Sequence, residues 1–353
     1  MINLAVVFGG KSCEHEISVL TANQVIACLN KEKYRILPIY ITKDQRFYYL
    51  SDFSIDLFKD RKLLKKSMRE INFTKKGFML KRKKIMIDVA ILSMHGTNGE
   101  DGSIQALLNF FDICYLGSDM ISCALSQDKV FMKQILKQNE VKVLDYQFLY
   151  EKEKADFKLE LQLPVIAKAC NLGSSIGIEI IRTEAELKPK LDSIFKYDKK
   201  VLFEPYIAEF REFNIAVSAF NREIVCSKVE EVKKTNEILD FTNKYQGSKD
   251  LRIIPADICL ELKASIEETA KKVYSLMDFE TFVRFDFMYF NEELYLNEVN
   301  TTPGSLSYYL WDKSFNEMLD IKIKDSFRSF SERNEKETSF DTNIIFTGNG
   351  AKK

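Results

Sequence analysis

In the first third of the chain, continuous apolar runs alternate with segments whose apolar residues recur at helical spacing. "LAVVFGG" (4–10) reads as a buried strand ending in glycines, "SVLTANQVIACLN" (18–30) as a helix and "YRILPIYI" (34–41) as a second strand. Residues 44–84 are charged and lack a period, and are expected to form an irregular excursion. "IMIDVAILSMHG" (85–96) reads as a third, nearly unbroken apolar strand, as in a parallel sheet covered on both faces. "SIQALLNFFD" (103–112) predicts a helix and "ICYLG" (113–117) a short strand. This βαβ order predicts an α/β unit with a doubly wound open sheet.

The pattern then changes. "DMISCALSQDKVFMKQILKQNE" (119–140) predicts one long helix, and "LDYQFLY" (144–150) a strand. "LPVIAKACNLGSSIGIEII" (163–181) predicts two strands joined by a glycine–serine loop, followed by a helix at "EAELKPKLDSIFK" (184–196). From "VLFEPYI" (201–207) several strands follow, then the helix "ELKASIEETAKKVYSLM" (261–277) and the strands "TFVRFDFMYF" and "ELYLNEVN". Strands followed by helices indicate α+β units. The division expected is 1–117, 118–200 and 201–330, with 331–353 as a polar, unstructured tail.

Composition narrows the classes. The 353 residues are 46% apolar, enough for a sizeable core. Bases and acids balance at 52 each, which does not point to nucleic acid. The basic runs "KDRKLLKKSMR" and "KKGFMLKRKK" read as solvated faces. Seven cysteines without a C-x-x-C pair argue against a disulfide framework or a zinc site, and two histidines exclude a histidine-rich metal centre. "MINLAVVFGGKS" lacks the features of a signal peptide, and no stretch has the length of a membrane span. A cytoplasmic protein without a membrane partner is expected.

The chemistry-bearing positions lie at strand ends. Arg284 and Asp286 share one strand face, and Glu298 and Asn300 share one face of the next. As an antiparallel hairpin these strands bring Asp286 opposite Glu298 if the loop holds an odd number of residues, for example Asn291-Glu292-Glu293; a two-residue loop places Asp286 opposite Asn297. Paired carboxylates repel, and a hard cation between them removes the objection. The alternative is a surface hairpin with scattered charge. In "KACNLGSSIGI" Lys168 precedes a loop of Gly173, Ser174, Ser175 and Gly177 that can cradle phosphate or simply turn a hairpin. "MHGTNGEDGS" and "FGGKSCEHEIS" place His95 and Glu14 at two strand exits of one sheet, where open sheets bind ligands, although ordinary turn chemistry also uses these residues. His15 taken alone reads as a helix-surface residue.

Together these stretches, in order from about residue 4 to about residue 312, resemble the D-alanine–D-alanine ligases of the ATP-grasp class. The motifs are "VVFGGKSCEHEIS", "HGTNGEDG", "SQDKVFMK", "NLGSSIGI", "FEPYI…REFNIAV", "LDFTNKY", "VRFDF" and "NEVNTTPGS". The resemblance implies an ATP-grasp fold behind the N-terminal open-sheet domain. It implies ATP and two Mg²⁺ (or Mn²⁺) ions as cofactors, D-alanine as substrate, peptidoglycan precursor synthesis as the role, and a homodimer. Lys129 and Lys168 would meet the nucleotide phosphates, with the Ser174–Ser175 loop closing over them. Glu204, Pro205, Tyr206 and Ile207 would line the adenine side, and Glu212 would reach the ribose. Asp286, Glu298 and Asn300 would hold the metal ions. Glu14 would bind the first D-alanine's ammonium with His95 nearby. Arg284 and the Gly304 N–H would face the developing oxyanion. Lys244 and Tyr245 would belong to a closing lid at about 229–249, and Tyr309 and Leu310 would lie on the second-substrate side.

Departures from the family pattern fall mainly at that last place. Leu306 and Tyr309 stand where hydroxyl residues are usual, and Trp311 and Ala169 where proline is usual. The Ala169 change is expected to loosen the loop's entry, and Tyr309 to turn away and pack. One rival is an ATP-grasp ligase with another acceptor, D-lactate or a different amino acid. The other is a non-catalytic nucleotide-binding module, which should have lost one of Asp286, Glu298, Asn300, Lys168 or Arg284; all are present.

Overall fold

The computed structural model describes residues 1–173, 176–233, 252–337 and 339–340. Among these, three sheets form. The first has eight strands in the spatial order Lys83–Met86, Gly77–Leu80, Met68–Thr74, Phe47–Leu50, Tyr34–Ile41, Ile2–Gly9, Val89–Leu92, Tyr115–Leu116. Ile2–Gly9 lies parallel to both neighbours, and Leu4 to Phe8 are fully buried, as an unbroken apolar run in a covered parallel strand should be. Two expectations fail here. Residues 44–84 are not an irregular excursion: they add four antiparallel strands, in which Ile71, Phe73 and Phe78 turn inward while Glu70 and Asn72 stay exposed. The 85–96 run is not one strand either, because it divides between Lys83–Met86 and Val89–Leu92. Between them the chain changes partners: Ile87 N–H donates to Lys76 O, and Asp88 N–H to Asn3 O.

The long helix expected over 119–140 is two helices, Met120–Gln127 and Lys129–Gln138. Asp128 breaks it. Its backbone is extended (φ −80°, ψ 104°) and its carboxylate accepts from the N–H groups of Val130 and Phe131, starting a new helix rather than continuing the old. The same carboxylate is ion-paired with the buried Lys200.

The second sheet is antiparallel, in the order Ile178–Ile181, Val165–Ala169, Lys200–Pro205, Gln147–Tyr150. The helix Glu184–Ile194 packs Leu191 and Ile194 onto it. Ala169 donates its N–H to Gly177 O at 2.8 Å, a bond proline could not make. The departure at Ala169 therefore ties the entry of the loop instead of loosening it.

The third sheet runs Arg252–Ile253, Glu230–Val232, Arg211–Phe220, Val283–Phe290, Glu293–Asn300, with Glu223–Cys226 also on Arg211–Phe220. The helix Leu260–Leu276 covers one face with Ile266, Ala270 and Val273. The final helix, Phe315–Asn334, opens with a capping box of Ser314 and Glu317. It returns to the first sheet, where Phe315, Met318, Leu319 and Ile323 share a core with Leu4, Val6 and Phe8. Its last four residues, Ser331–Asn334, fall in the stretch expected to be an unstructured tail. Among the described residues no helix is long and apolar enough to cross a membrane.

The Asp128–Lys200 pair ties the helix carrying Lys129 to the second sheet. Lys200→Met should leave a largely buried carboxylate without its cation and destabilise the fold by about 3–5 kcal/mol. A lowered urea midpoint with an unchanged slope is the expected measurement.

Candidate active site

The hairpin Val283–Phe290/Glu293–Asn300 brings Asp286 opposite Glu298, but not by an odd loop. The turn has two residues, Asn291 and Glu292, both left-handed (φ 50° and 61°), as tight hairpin turns require. The missing residue is supplied further along the ladder. Phe287 pairs with Leu296 and Asp286 with Glu298, so Asn297 is the extra residue of a bulge. The parity requirement was right and the device was wrong. The bulge also turns Asn297 towards the same space as Glu298, where its Oδ1 accepts from Lys168 Nζ at 3.3 Å.

Arg284 chelates Asp286 through two bonds, Nε–H to Oδ1 at 2.6 Å and a terminal N–H to Oδ2 at 2.8 Å. Burial opposes the guanidinium's charge, but Asp286 more than offsets it and raises the pKa of Arg284. Asn300 Nδ2–H donates to Asp286 Oδ2 at 3.0 Å. Lys129 Nζ lies 3.3 Å from Glu298 Oε1 and donates to Leu172 O at 2.6 Å. Burial opposes the Lys129 charge and Glu298 prevails, so its pKa is also raised.

These groups sit where two cavities adjoin. One, of about 140 Å³, is walled by Ile166, Ile178, Leu202 and Met288 and by Lys168, Glu204, Pro205, Tyr206, Ile207 and Glu212. It lies between the second and third sheets and is apolar on its faces. The other, of about 220 Å³, is bordered by Glu14, His95, Arg284, Asn300, Gly304 and Tyr309. Lys129, Glu212, Asp286, Asn297 and Glu298 border both.

Glu14 opens the helix His15–Cys28 and is buried. Its carboxylate lies against two glycines: a Cβ on Gly96 would stand 2.7 Å from Oε2, and one on Gly173 would stand 3.2 Å away. A side chain at Gly96, where φ is also positive, would collide with this carboxylate, and one at Gly173 would press on it. His95 is bonded through Nε2 to Thr21 Oγ1 at 2.8 Å, with Nδ1 3.6 Å from Glu100. Burial pulls its pKa down, Glu100 and Glu14 outweigh this, and the net direction is up. His15 is not a surface residue. It is 5% exposed, with Nδ1 2.7 Å from Gly10 O and Nε2 3.0 Å from the Tyr40 hydroxyl.

Tyr309 does not turn away from the cavity. Its hydroxyl lies 3.3 Å from Glu230 Oε2, and its ring faces the Arg252 guanidinium at 5.3 Å. Leu310 is fully buried and stands apart from both cavities; its carbonyl accepts from Lys228 N–H. Ser174, Ser175, Lys244 and Tyr245 lie outside the described residues, as does most of the expected lid.

Three contributors went unforeseen. Lys133 reaches Glu204 Oε1 at 2.6 Å while Lys168 reaches Oε2 at 2.6 Å. The signal was available, since Lys129 and Lys133 are four apart on one helix face. Asn297 needed the bulge, which no local pattern marks. Glu230 is buried and accepts from Asn214 Nδ2–H at 3.1 Å; the strand of Asn214 separates it from Asp286, and no motif flagged it.

Glu204 is wholly buried. Burial would raise its pKa, but Lys133 and Lys168 hold it down at about 2, from 4.5. A depressed carboxylate stabilises the fold above its unfolded pKa, and that contribution disappears as pH falls through the folded value. Stability should therefore decline between about pH 4.5 and 2, by about 3 kcal/mol from this group. Glu204→Gln should abolish that part of the acid dependence and destabilise the protein at neutral pH, read by urea unfolding across pH.

Known proteins resemble this chain along most of its length. Family models described as "D-ala D-ala ligase N-terminus" and "D-ala D-ala ligase C-terminus" match residues 3–118 and 132–319. A D-alanine--D-alanine ligase of Thermosipho africanus is 39% identical over 365 residues, covering 98% of each chain. The crystal structure of D-alanine-D-alanine ligase from Helicobacter pylori superposes with a TM-score of 0.79 at 31% identity, covering 92% of this chain and 98% of that one. The Bacillus anthracis D-alanine--D-alanine ligase, crystallised in complex with ATP, gives 0.68 at 25% identity over 94% and 100%.

Proposed function

The chain belongs to the D-alanine–D-alanine ligase family and has its ATP-grasp fold, and on that premise we propose that it joins two D-alanines with ATP for cell-wall precursor synthesis, through an acyl phosphate. A carboxylate is a poor acylating agent at neutral pH. Transfer of the γ-phosphoryl group from ATP to the first D-alanine's carboxylate converts a carboxylate oxygen into part of a leaving group. The second D-alanine's amine then attacks the acyl carbon, the C–O bond to phosphate breaks, and the amine's proton passes to solvent or a nearby base. The observation that carries this reading is the junction of the two cavities at Lys129, Asp286 and Glu298.

The apolar cavity at Glu204–Ile207 suits the adenine, with Glu212 at its rim for the ribose. Lys129 and Lys168 are placed for the phosphates. Glu14 and His95 suit the first D-alanine, and Arg284 with the Gly304 N–H suits the oxyanion formed on amine attack. The donor set for a metal consists of oxygens, two carboxylates and the amide of Asn300, and fits Mg²⁺ or Mn²⁺ in place of the Arg284–Asp286 and Lys129–Glu298 pairing. Such ions would offset the repulsion between phosphate and carboxylate as they meet. Ser174, Lys244 and Tyr245 are proposed to complete the site from the family resemblance alone. A cytoplasmic homodimer is proposed on the same basis.

ADP release dependent on D-alanine is the decisive assay. If ATP turns over at the same rate without D-alanine, the reading fails. Glu298→Gln and Asp286→Asn should each lower kcat by about 10²-fold or more, because each removes charge from the proposed metal site. Near-normal ADP release by either at ordinary magnesium concentration would mean the ions are held elsewhere.

Tyr309 favours testing a second reading, a different acceptor. Its hydroxyl is engaged by Glu230, so the carboxylate of the second substrate need not depend on it. Tyr309→Phe should change the KM for the second D-alanine by only a few fold. Loss of a bond to a charged group would instead raise it about 10- to 150-fold. Offering D-serine or D-lactate beside D-alanine distinguishes the acceptor readings.

A further inference from the structure

The helix His15–Cys28 carries a buried polar stripe that the proposed chemistry leaves unused. His15, Ser18 and Thr21 recur every three residues, and each is 5% exposed or less. Residues so spaced share a helix face. His15 and Ser18 both hold the end of the first strand, whereas Thr21 reaches His95 and Ser305, which border the larger cavity. His15 holds Gly10 O and the Tyr40 hydroxyl. Ser18 Oγ accepts from Gly9 N–H at 2.7 Å and donates to Ser93 O at 2.8 Å. Thr21 Oγ1 is bonded to His95 Nε2 at 2.8 Å and accepts from Ser305 N–H at 3.4 Å.

The third tether crosses from the first sheet's helix to the loop that follows the metal-site strand. That loop is under conformational load. Ser305, Leu306 and Ser307 all have left-handed backbones (φ 54°, 50° and 52°). Residues with a Cβ disfavour this region, and a run of three persists only when its surroundings hold it. Leu306 is anchored in the core and Ser307 is fully buried. Ser305 is half-exposed, and its N–H is held by Thr21. The turn begins directly after Gly304, whose N–H the proposed mechanism uses.

Thr21 also constrains His95. Thr21 Oγ1 already accepts the Ser305 N–H, which leaves its hydroxyl proton free to be donated to His95 Nε2. The neutral ring then carries its own proton on Nδ1, on the side of Glu100.

We propose that Thr21 is a positioning residue for ligation: its hydroxyl locks the left-handed turn that aims the Gly304 N–H, and sets the tautomer of His95. This rests on the site reading above, which D-alanine-dependent ADP release by the unaltered protein tests separately. Thr21→Val keeps the branched shape and removes the hydroxyl; Thr21→Ser restores it. T21V should lower kcat for dipeptide formation about 10- to 100-fold, with the KM for ATP within about twofold. T21S should recover most of the loss. The chain has two histidines, so ¹⁵N-imidazole spectra can separate them. At a pH where the ring is neutral, His95 should be the Nδ1–H form in the unaltered protein and shift towards Nε2–H in T21V. An unchanged kcat, an unchanged tautomer in T21V, or a T21S defect equal to that of T21V would each overturn the proposal. Should T21V not fold, Thr21→Ala carries the same comparison with T21S.

Discussion

Asp286 and Glu298 stand directly across two neighbouring strands, and two carboxylates so placed repel. Much of the surrounding structure offsets that repulsion. Arg284, two residues back on the same strand face, takes both oxygens of Asp286. Asn300, two residues beyond Glu298, donates to Asp286 as well. Glu298 is met by Lys129, which comes from a helix in a different part of the chain. That helix has its first turn fixed by Asp128, which the buried Lys200 fixes in turn. A local charge problem in one hairpin is thus solved by long-range convergence. This explains why the site lies where the second and third sheets meet, and not on the hairpin alone.

The same logic governs the smaller cavity, with the signs reversed. Lys133, Lys168 and the wholly buried Glu204 form a cluster of two cations and one anion. A balanced buried pair contributes little net stability. An unbalanced one leaves a positive charge facing the cavity, which suits a polyanionic ligand. Burial pushes Lys133 below the usual lysine pKa while Glu204 stays firmly ionised. The smaller cavity is therefore edged by a net positive charge that an anionic group would complete.

How much of this was legible depended on the kind of residue. The parallel strands were readable because burial on both faces leaves unbroken apolar runs, as in Leu4–Phe8. The strands at 47–86 were not, because turns of Lys75-Lys76 and Lys81-Arg82 interrupt their alternation and the edge strand Lys83–Met86 opens with lysines. The Asp128 break hid inside an otherwise continuous helical period, since a capping residue differs from a surface residue only in context. At the site, Asp286, Glu298, Asn300 and Arg284 could be placed from two-residue periodicity. Their mutual register could not, because a bulge shifts parity without leaving a mark in composition. His15 was misread for a related reason: a polar residue opening a helix looks exposed until the loops bonded to it are known.

The departures at 306–311 form a single repacked wall rather than scattered losses. Leu306 is buried with the core of the first sheet and Phe315. Trp311 meets Phe220 edge-on at 5.4 Å and Phe282 at 6.3 Å. Tyr309, between them, donates its hydroxyl to Glu230 Oε2 and lays its ring against the Arg252 guanidinium. Leu306 and Trp311 thus brace the turn against the core, and the backbone groups of the turn are only as well aimed as that packing holds them. The left-handed run at Ser305–Ser307 resists relaxing because its Leu306 is packed and its Ser305 is tethered. Packing and tether act on adjacent residues of one strained turn, so loss of either should loosen the same N–H groups, and substitutions in the Leu306 environment and at Thr21 should couple rather than add.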